Sequence, residues 1–219
     1  MVPLTLAEQL LLLALDDETG KLRPLPDQSL DYALAGAIIA DLTRVGRVAV
    51  GGETIEIIDR TPVESAPEDI GLQELAKAEI TNLRGALSHL AGDAHGLRKR
   101  LIGQLVEKRI LKEEDREFLW VFHFSRYPLA DPTAENAIRQ RLRNRILKKE
   151  VPASETDRVL ISLVHVCDLE SLLLSEEERE AHAERIREIW SRDRIGKAVM
   201  DCLEEIQKAI LEIRTYSGM

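Results

Sequence analysis

The chain has 219 residues and 24.7 kDa, is 44% hydrophobic and 32% charged, and carries 30 Lys/Arg against 39 Asp/Glu for a formal net charge of -9. Such a composition excludes a disordered or membrane-spanning chain, suffices for a single core, and weighs against nucleic acid as a partner. The two cysteines, Cys167 and Cys202, lie in helical patterns without metal-ligand spacing, which fits a reducing cytosol and argues against a structural disulfide or zinc site.

The first predicted element runs from Leu4 to Leu15, where Thr5 followed by Glu8 forms a capping box ahead of a leucine-rich buried helix. Its apolar run, Leu10 to Leu15, is too short to span a bilayer, and no basic leader precedes it, so export is not expected. Asp16, Asp17, Glu18 and Gly20 end the helix, and Pro24 and Pro26 extend the loop. A second helix spans about Ser29 to Val45, with Leu30, Leu34, Ile38 and Leu42 on one stripe and Ala33, Ala35, Gly36 and Ala37 allowing close approach of a neighbour. Gly46 stops it. Arg47 to Val50 and Glu53 to Ile58 read as a hairpin around Gly51-Gly52.

Further helices are expected at about Gly71 to Leu90 and Leu97 to Lys108, followed by a short Ile110-Leu111 segment and an aromatic strand from Phe118 to Phe124. Pro128 and Pro132 punctuate its end. The remainder reads as helices at about Ala134 to Lys148, Glu155 to Leu174, Glu176 to Trp190 and Ile195 to Ile213, with Ser154, Ser175 and either Ser191 or Asp193 as caps. No Gly/Ser-rich linker divides these pieces, so residues 4–214 read as one mainly α-helical domain with one or two short β-hairpins.

Charge is unevenly placed. From His95 to Lys149 there are 14 Lys/Arg against 7 Asp/Glu, and this segment also holds all three Phe and Trp120. A basic, aromatic-bearing stretch in an acidic chain points to local docking on an anionic surface. Its densest part is Arg139-Gln140-Arg141-Leu142-Arg143-Asn144-Arg145-Ile146-Leu147-Lys148-Lys149, which reads either as a docking face or as a solvated face paired with acids elsewhere in the chain. Arg98-Lys99-Arg100 carries the same two readings. Phe118, Trp120, Phe122 and Phe124 alternate onto one strand face, opposite Leu119, Val121 and His123, which fits either a strand covered on both sides or an inserting hairpin.

Sharper chemistry is missing from the pattern. Asp16-Asp17-Glu18 reads as a solvated helix end and not a cation loop, and His89, His95, His123, His165 and His182 show no paired metal spacing. No phosphate-cradling Gly loop, nucleophile elbow or Cys/His motif occurs, so neither catalysis nor a metal or cofactor is expected.

Five blocks in order resemble one known family. They are Leu4-Thr5-Leu6-Ala7-Glu8-Gln9-Leu10 running to Asp16; Leu34-Ala35-Gly36-Ala37-Ile38-Ile39-Ala40-Asp41-Leu42 with Gly46-Arg47; Arg100-Leu101 with Leu105-Val106-Glu107-Lys108; Tyr127-Pro128-Leu129; and Arg158-Val159-Leu160-Ile161-Ser162-Leu163. Together they look like the Golgi phosphoprotein 3 family across nearly the whole chain. The resemblance implies a hydrophobic helical bundle wrapped by amphipathic helices, a protruding β-hairpin, and a non-enzymatic peripheral membrane protein. Family members in eukaryotes bind phosphatidylinositol 4-phosphate and link glycosyltransferase tails to vesicle coats. This chain starts at the first core helix without their basic amino-terminal arm, which is similar to a bacterial member acting in the cytoplasm and reversibly on the membrane face.

The family's lipid pocket places its Trp and Arg around the second helix and two further Arg in the later basic helix. The matching positions here are Pro26, Ala35, His95 and Arg98, of which Arg98 keeps the family residue and His95 is cationic only when protonated. The expected partner is therefore an anionic phospholipid membrane, met at Arg98 and supported by Arg100, Arg139, Arg141, Arg143 and Arg145. The hairpin would add insertion or a homo-oligomer contact, and a protein cargo is a further expected partner. The rival from another class is a winged-helix-like nucleic-acid binder using Gly36 to Val45 or Arg98 to Lys108 as recognition helix; a third reading is an adaptor holding a protein tail in an acidic groove.

Overall fold

The computed structural model describes residues 3–118, 122–148 and 154–217, by backbone alone at 114–118, 122–126 and 210–217. Among them are ten α-helices, one 3-10 turn and two β-hairpins, a mainly helical fold as the sequence predicts.

Helix α1, Leu6–Ala14, is buried along its whole length, Glu8 and Gln9 included. The capping box is present: Thr5 Oγ1 accepts from the Glu8 amide at 3.3 Å while the Glu8 carboxylate accepts from the Thr5 amide at 2.8 Å. That satisfies amides a helix start leaves open, so α1 can enter an apolar environment. Helix α2, Ser29–Arg44, occupies the centre, packed against α1 and against later helices on its other sides. A Cβ at Gly36 would lie 2.9 Å from Val199 Cγ2 and 3.1 Å from Ile195 Cγ2, so the small-residue stripe does admit a neighbour, the last helix.

After α2, strands β1, Val48–Gly51, and β2, Thr54–Ile57, pair antiparallel with Gly51 opposite Thr54. The turn is therefore Gly52-Glu53, one residue later than the Gly-Gly reading; Gly52 has φ +67 and Gly51 does not need the left-handed region. The helix expected from Gly71 to Leu90 is two: α3, Ala66–Ala78, and α4, Leu83–Ala91. The chain breaks at Glu79, φ 50, because the segment behind it pairs with β2: Ile55 N donates to Thr81 O at 2.9 Å and Leu83 N to Glu53 O at 2.8 Å. Asn82 then caps α4 by accepting from Gly85 N at 2.6 Å.

Helix α5, Ala94–Glu107, leads into a second hairpin, β3, Glu114–Phe118, and β4, Phe122–Arg126. Phe118 stands opposite Phe122 and Arg116 opposite Phe124, so the single strand read from Phe118 to Phe124 is instead the two sides of a hairpin tip. The acid-rich run Glu114 to Glu117, which carries little strand signal, forms the first strand because a partner strand satisfies its backbone. Trp120, with Leu119 and Val121, lies outside the described residues. The hairpin base is tied by Lys112 N to Pro128 O and Ala130 N to Ile110 O, at 2.9 and 2.8 Å.

Helix α6, Thr133–Leu147, buries Ile138, Leu142 and Ile146. Helix α7, Glu155–Val166, is capped by Ser154 and ends eight residues earlier than expected, at Cys167 and Asp168, φ 54, with the 3-10 turn Glu170–Leu172 behind. Ser175 and Glu178 form a second capping box at α8, Glu176–Ala181, and His182 separates it from α9, Ala183–Ser191. At that break the His182 Nδ1 lies 3.0 Å from the Glu178 carbonyl oxygen, which also accepts the His182 amide at 3.0 Å. Asp193 accepts from Ile195 N and Gly196 N at 3.2 and 2.9 Å and so starts α10, Arg194–Ser217.

One contiguous buried cluster runs from Leu6 to Leu203 and draws on α1 to α7, α9 and α10. The winged-helix reading meets two obstacles in this arrangement. Gly36 to Leu42 is buried inside the bundle, out of reach of a groove, and the hairpins form separate two-stranded sheets.

Candidate functional site

Of the residues expected around the lipid pocket, Arg98 is the one that links α5 to α2. Arg98, early in α5, reaches Asp31 in the first turn of α2, with Nη1 3.6 Å from Oδ1; their side chains are 29% and 25% exposed. At that length the contact is a loose ion pair and not a hydrogen bond, so the guanidinium retains donors. Its Nε donates to Ala94 O at 3.3 Å. Neither α2 nor α5 has a side-chain hydrogen bond at its N-cap, and Gln28 at the α2 cap is left-handed, φ 61. Two helix starts, each carrying about +0.5 of positive end charge, are thus bridged by Arg98.

His95 is exposed on the same helix, and Pro26 is exposed in the loop before α2, its carbonyl accepting from Ser29 N at 3.1 Å. Ala35 is 0% exposed. It contributes packing and no surface, so the second-helix position of the implied pocket presents nothing to a ligand here. Cys167 lies against Ser29, its thiol pushed up to about 12 by burial. Lys99 is exposed beside Arg98, and Arg100 is held by Asp93 at 2.7 Å.

The basic helix has a different character from the one its sequence suggests, because each of the four arginines on α6 has an internal partner. Arg139 meets Glu135 and, at 3.3 Å, Asp17; Arg143 donates to Glu178 at 2.6 Å and to Leu173 O at 3.0 Å. Arg141 and Arg145 share Asp157, Nε to Oδ1 at 3.0 Å and Nε to Oδ2 at 2.9 Å, and Arg141 also donates to Gln9 Oε1 at 2.5 Å. The hydrogen bonds from Arg143 hold Glu178 down at about 2, while burial raises the Glu135 carboxyl against the opposing pull of Arg139. Much of the run is therefore fold chemistry, the solvated-and-paired alternative. Its partners Asp17, Asp157 and Glu178 are far away in sequence, and no local spacing announces them.

Sequence reasoning also missed a buried polar cluster at the start of α1. Asp41 Oδ2 accepts from Leu6 N at 2.7 Å and Ala7 N at 3.3 Å, and Lys108 Nζ sits 2.5 and 2.6 Å from the two Glu8 oxygens. Glu68, in the first turn of α3, lies near enough to raise Asp41 further after burial has done so, to about 7; burial raises Glu68 as well. The signal was present, since Asp41 is a lone acid in the apolar stretch Ala37 to Leu42.

Elsewhere, a cleft of about 460 Å³ between α3, α4 and α5 has an apolar floor including Ile38, Leu90 and Leu97. Its acids are engaged, Glu74 by Lys77 and Asp93 by Arg100, both at 2.7 Å, so it is not an acidic groove. Among the described residues no group of three or more His, Cys, Asp or Glu is placed to hold a metal, and no helix is long and apolar enough to cross a membrane.

A family model for Golgi phosphoprotein 3 (GPP34) matches residues 6–206, more than nine-tenths of the chain and all the elements around Arg98. The chain belongs to the Golgi phosphoprotein 3 family. The match begins at Leu6, the first residue of α1, and reaches into α10, so the matched span takes in the buried core and the α2–α5 junction. A comparison with curated proteins returns no match.

Proposed function

We propose that this Golgi phosphoprotein 3 family protein is a peripheral membrane protein that docks on anionic phospholipid, with a head-group phosphate received at Arg98, and performs no reaction of its own. The observation that carries the reading is the loose Arg98–Asp31 contact bridging two helix starts without side-chain caps. An incoming phosphate offers oxygens that can take Arg98 at proper hydrogen-bond length, and it gains from both helix ends. Exposed His95 and Lys99 flank the place. A head group so bound lacks the Trp and the additional Arg that family members supply, since Pro26 and buried Ala35 stand at those positions. Charge, more than head-group shape, therefore sets the affinity, and phosphatidylinositol 4-phosphate has only a modest advantage.

A vesicle panel tests this directly. Phosphatidylinositol 4-phosphate, phosphatidylinositol, phosphatidylglycerol and cardiolipin, each mixed into phosphatidylcholine, are compared by co-sedimentation at matched surface charge. Binding is expected to be similar across the four matched mixtures, absent with phosphatidylcholine alone, and to fall with added salt. Equal sedimentation with neutral and anionic vesicles would sink the proposal.

A further inference from the structure

Helix α6 has an outer face that ion pairing leaves with an excess of cation. It forms a shallow cup of about 470 Å³ lined by Ala137, Gln140, Arg141, Asn144, Arg145 and Lys148, three cations and two amides with no acid in the lining. Spacings of three and four residues place them on one side of the helix, away from buried Ile138, Leu142 and Ile146. Asp157 stands behind the cup, its side chain 5% exposed, and its single carboxylate ion-pairs with both guanidiniums, hydrogen-bonded by Arg145 Nε and 3.0 Å from Arg141 Nε. One negative charge thus answers two positive ones, while Lys148 is exposed and has no acidic partner among the described residues.

Two further features tune the place toward an oxyanion. Asp157 belongs to the first turn of α7, so the shared carboxylate brings the arginines to that helix's positive end. The Arg145 Nε hydrogen bond to Asp157 and the Arg141 Nη2 hydrogen bond to Gln9 also orient the two planes before any ligand arrives. A planar guanidinium fork held in this way suits the paired oxygens of a phosphate better than mobile lysines would. The Gln140 and Asn144 amides can add neutral donors to the remaining oxygens.

We infer that the outer face of α6 is a second oxyanion site, which takes a phosphate group alongside the shared Arg141–Asp157–Arg145 pair. For the source of that phosphate the inference rests on the membrane reading, which makes it a lipid head group; the site itself is independent of Arg98. Of the six cations in the run, the site uses Arg141, Arg145 and Lys148, whereas Arg139 and Arg143 are committed to Glu135 and Glu178.

The test uses the full chain with two probes, inorganic phosphate followed by two-dimensional NMR and phosphatidylglycerol vesicles followed by co-sedimentation. Phosphate is expected to give saturable shifts at the Gln140 and Asn144 amides and at Arg145 Nε. Arg145→Gln combined with Lys148→Gln should abolish them and weaken vesicle binding about 5-fold per cation removed, roughly 30-fold together. Asp157 keeps Arg141 in that variant, and Lys148→Gln alone is a second variant at an exposed position. The control Lys77→Gln with Lys208→Gln removes the same charge from exposed positions on α3 and α10 and should cost less than about 5-fold. Absence of saturable phosphate shifts, or an equal loss in the control, overturns the site. So does saturable binding of duplex DNA on this face with none of phosphate or vesicles. Arg98→Gln should leave the phosphate shifts on α6 in place, so failure of the Arg98 reading and failure of this one give different results.

Discussion

Replacing Asp41 by Asn tests the buried cluster at the start of α1 and should stabilise the protein in a pH-dependent way. In the fold this carboxyl is raised from its ordinary 3.8 to about 7, first by burial and then by the charge of Glu68. A raised carboxyl binds its proton more tightly in the folded chain than in the unfolded one. Its stabilising contribution is therefore complete below pH 4 and is lost progressively as pH rises to about 7, beyond which the charged group carries a constant penalty. At ~1.4 kcal/mol per tenfold change in proton affinity, that penalty is about 4 kcal/mol at most. The Leu6 and Ala7 amides and Arg44, 3.5 Å away, favour the charged form and are already weighed in the value. Asn retains an oxygen for the Leu6 amide but cannot ionise, so it behaves as a permanently neutral Asp. Urea unfolding of the two proteins at several pH values gives the difference curve. The expected curve is near zero at pH 4 and rises to a gain of about 2–4 kcal/mol for Asp41→Asn by pH 8. A flat difference, or a variant less stable at pH 8, would refute the idea that Asp41 is held against its charge.

Three further outcomes follow from the packing and the ion pairs. Gly36→Ala places a Cβ 2.9 Å from Val199 Cγ2 and should cost about 1–3 kcal/mol by urea unfolding, with Val199→Ala recovering part of the loss. Carbon-detected NMR titration should place the Glu178 midpoint at about 2 and move it up toward 4.5 in Arg143→Gln; an unchanged midpoint would show that Arg143 is not its partner. Cys167, buried and with its thiol near 12, should resist thiol reagents at pH 8 until denaturant is added, and rapid labelling of the native protein would contradict its burial.

What the sequence revealed was local chemistry with a fixed spacing. Thr5 and Glu8 sit three residues apart and meet within one helical turn, so that capping box could be read directly, and Ser175 was legible as a cap although its return bond from Glu178 was not read. The Gly36 stripe was equally legible, since small residues on an apolar helix call for a close neighbour, though not for which one. Breaks imposed by tertiary pairing were not legible. Nothing at Glu79 marks a helix end, and the chain leaves α3 there because the β1–β2 hairpin, through Ile55 and Glu53, claims the backbone of Thr81 and Leu83. The aromatic alternation misled for a related reason: period two is the same along one strand and on the two sides of a hairpin, and only the register of Phe118 with Phe122 separates them. Family resemblance located the Arg98 neighbourhood, whereas the fate of the α6 arginines depended on Asp17, Asp157 and Glu178, which meet them only in the folded chain.

The central claim is that Arg98 receives an anionic head group at the junction of α2 and α5. Co-sedimentation of the wild type and Arg98→Gln with phosphatidylglycerol vesicles, at fixed salt and with the fold checked by circular dichroism, tests it most directly. The account predicts a fall in affinity of about 5-fold or more for Arg98→Gln, and a smaller fall for the equal charge change Lys77→Gln. Equal affinities for Arg98→Gln and the wild type would contradict it.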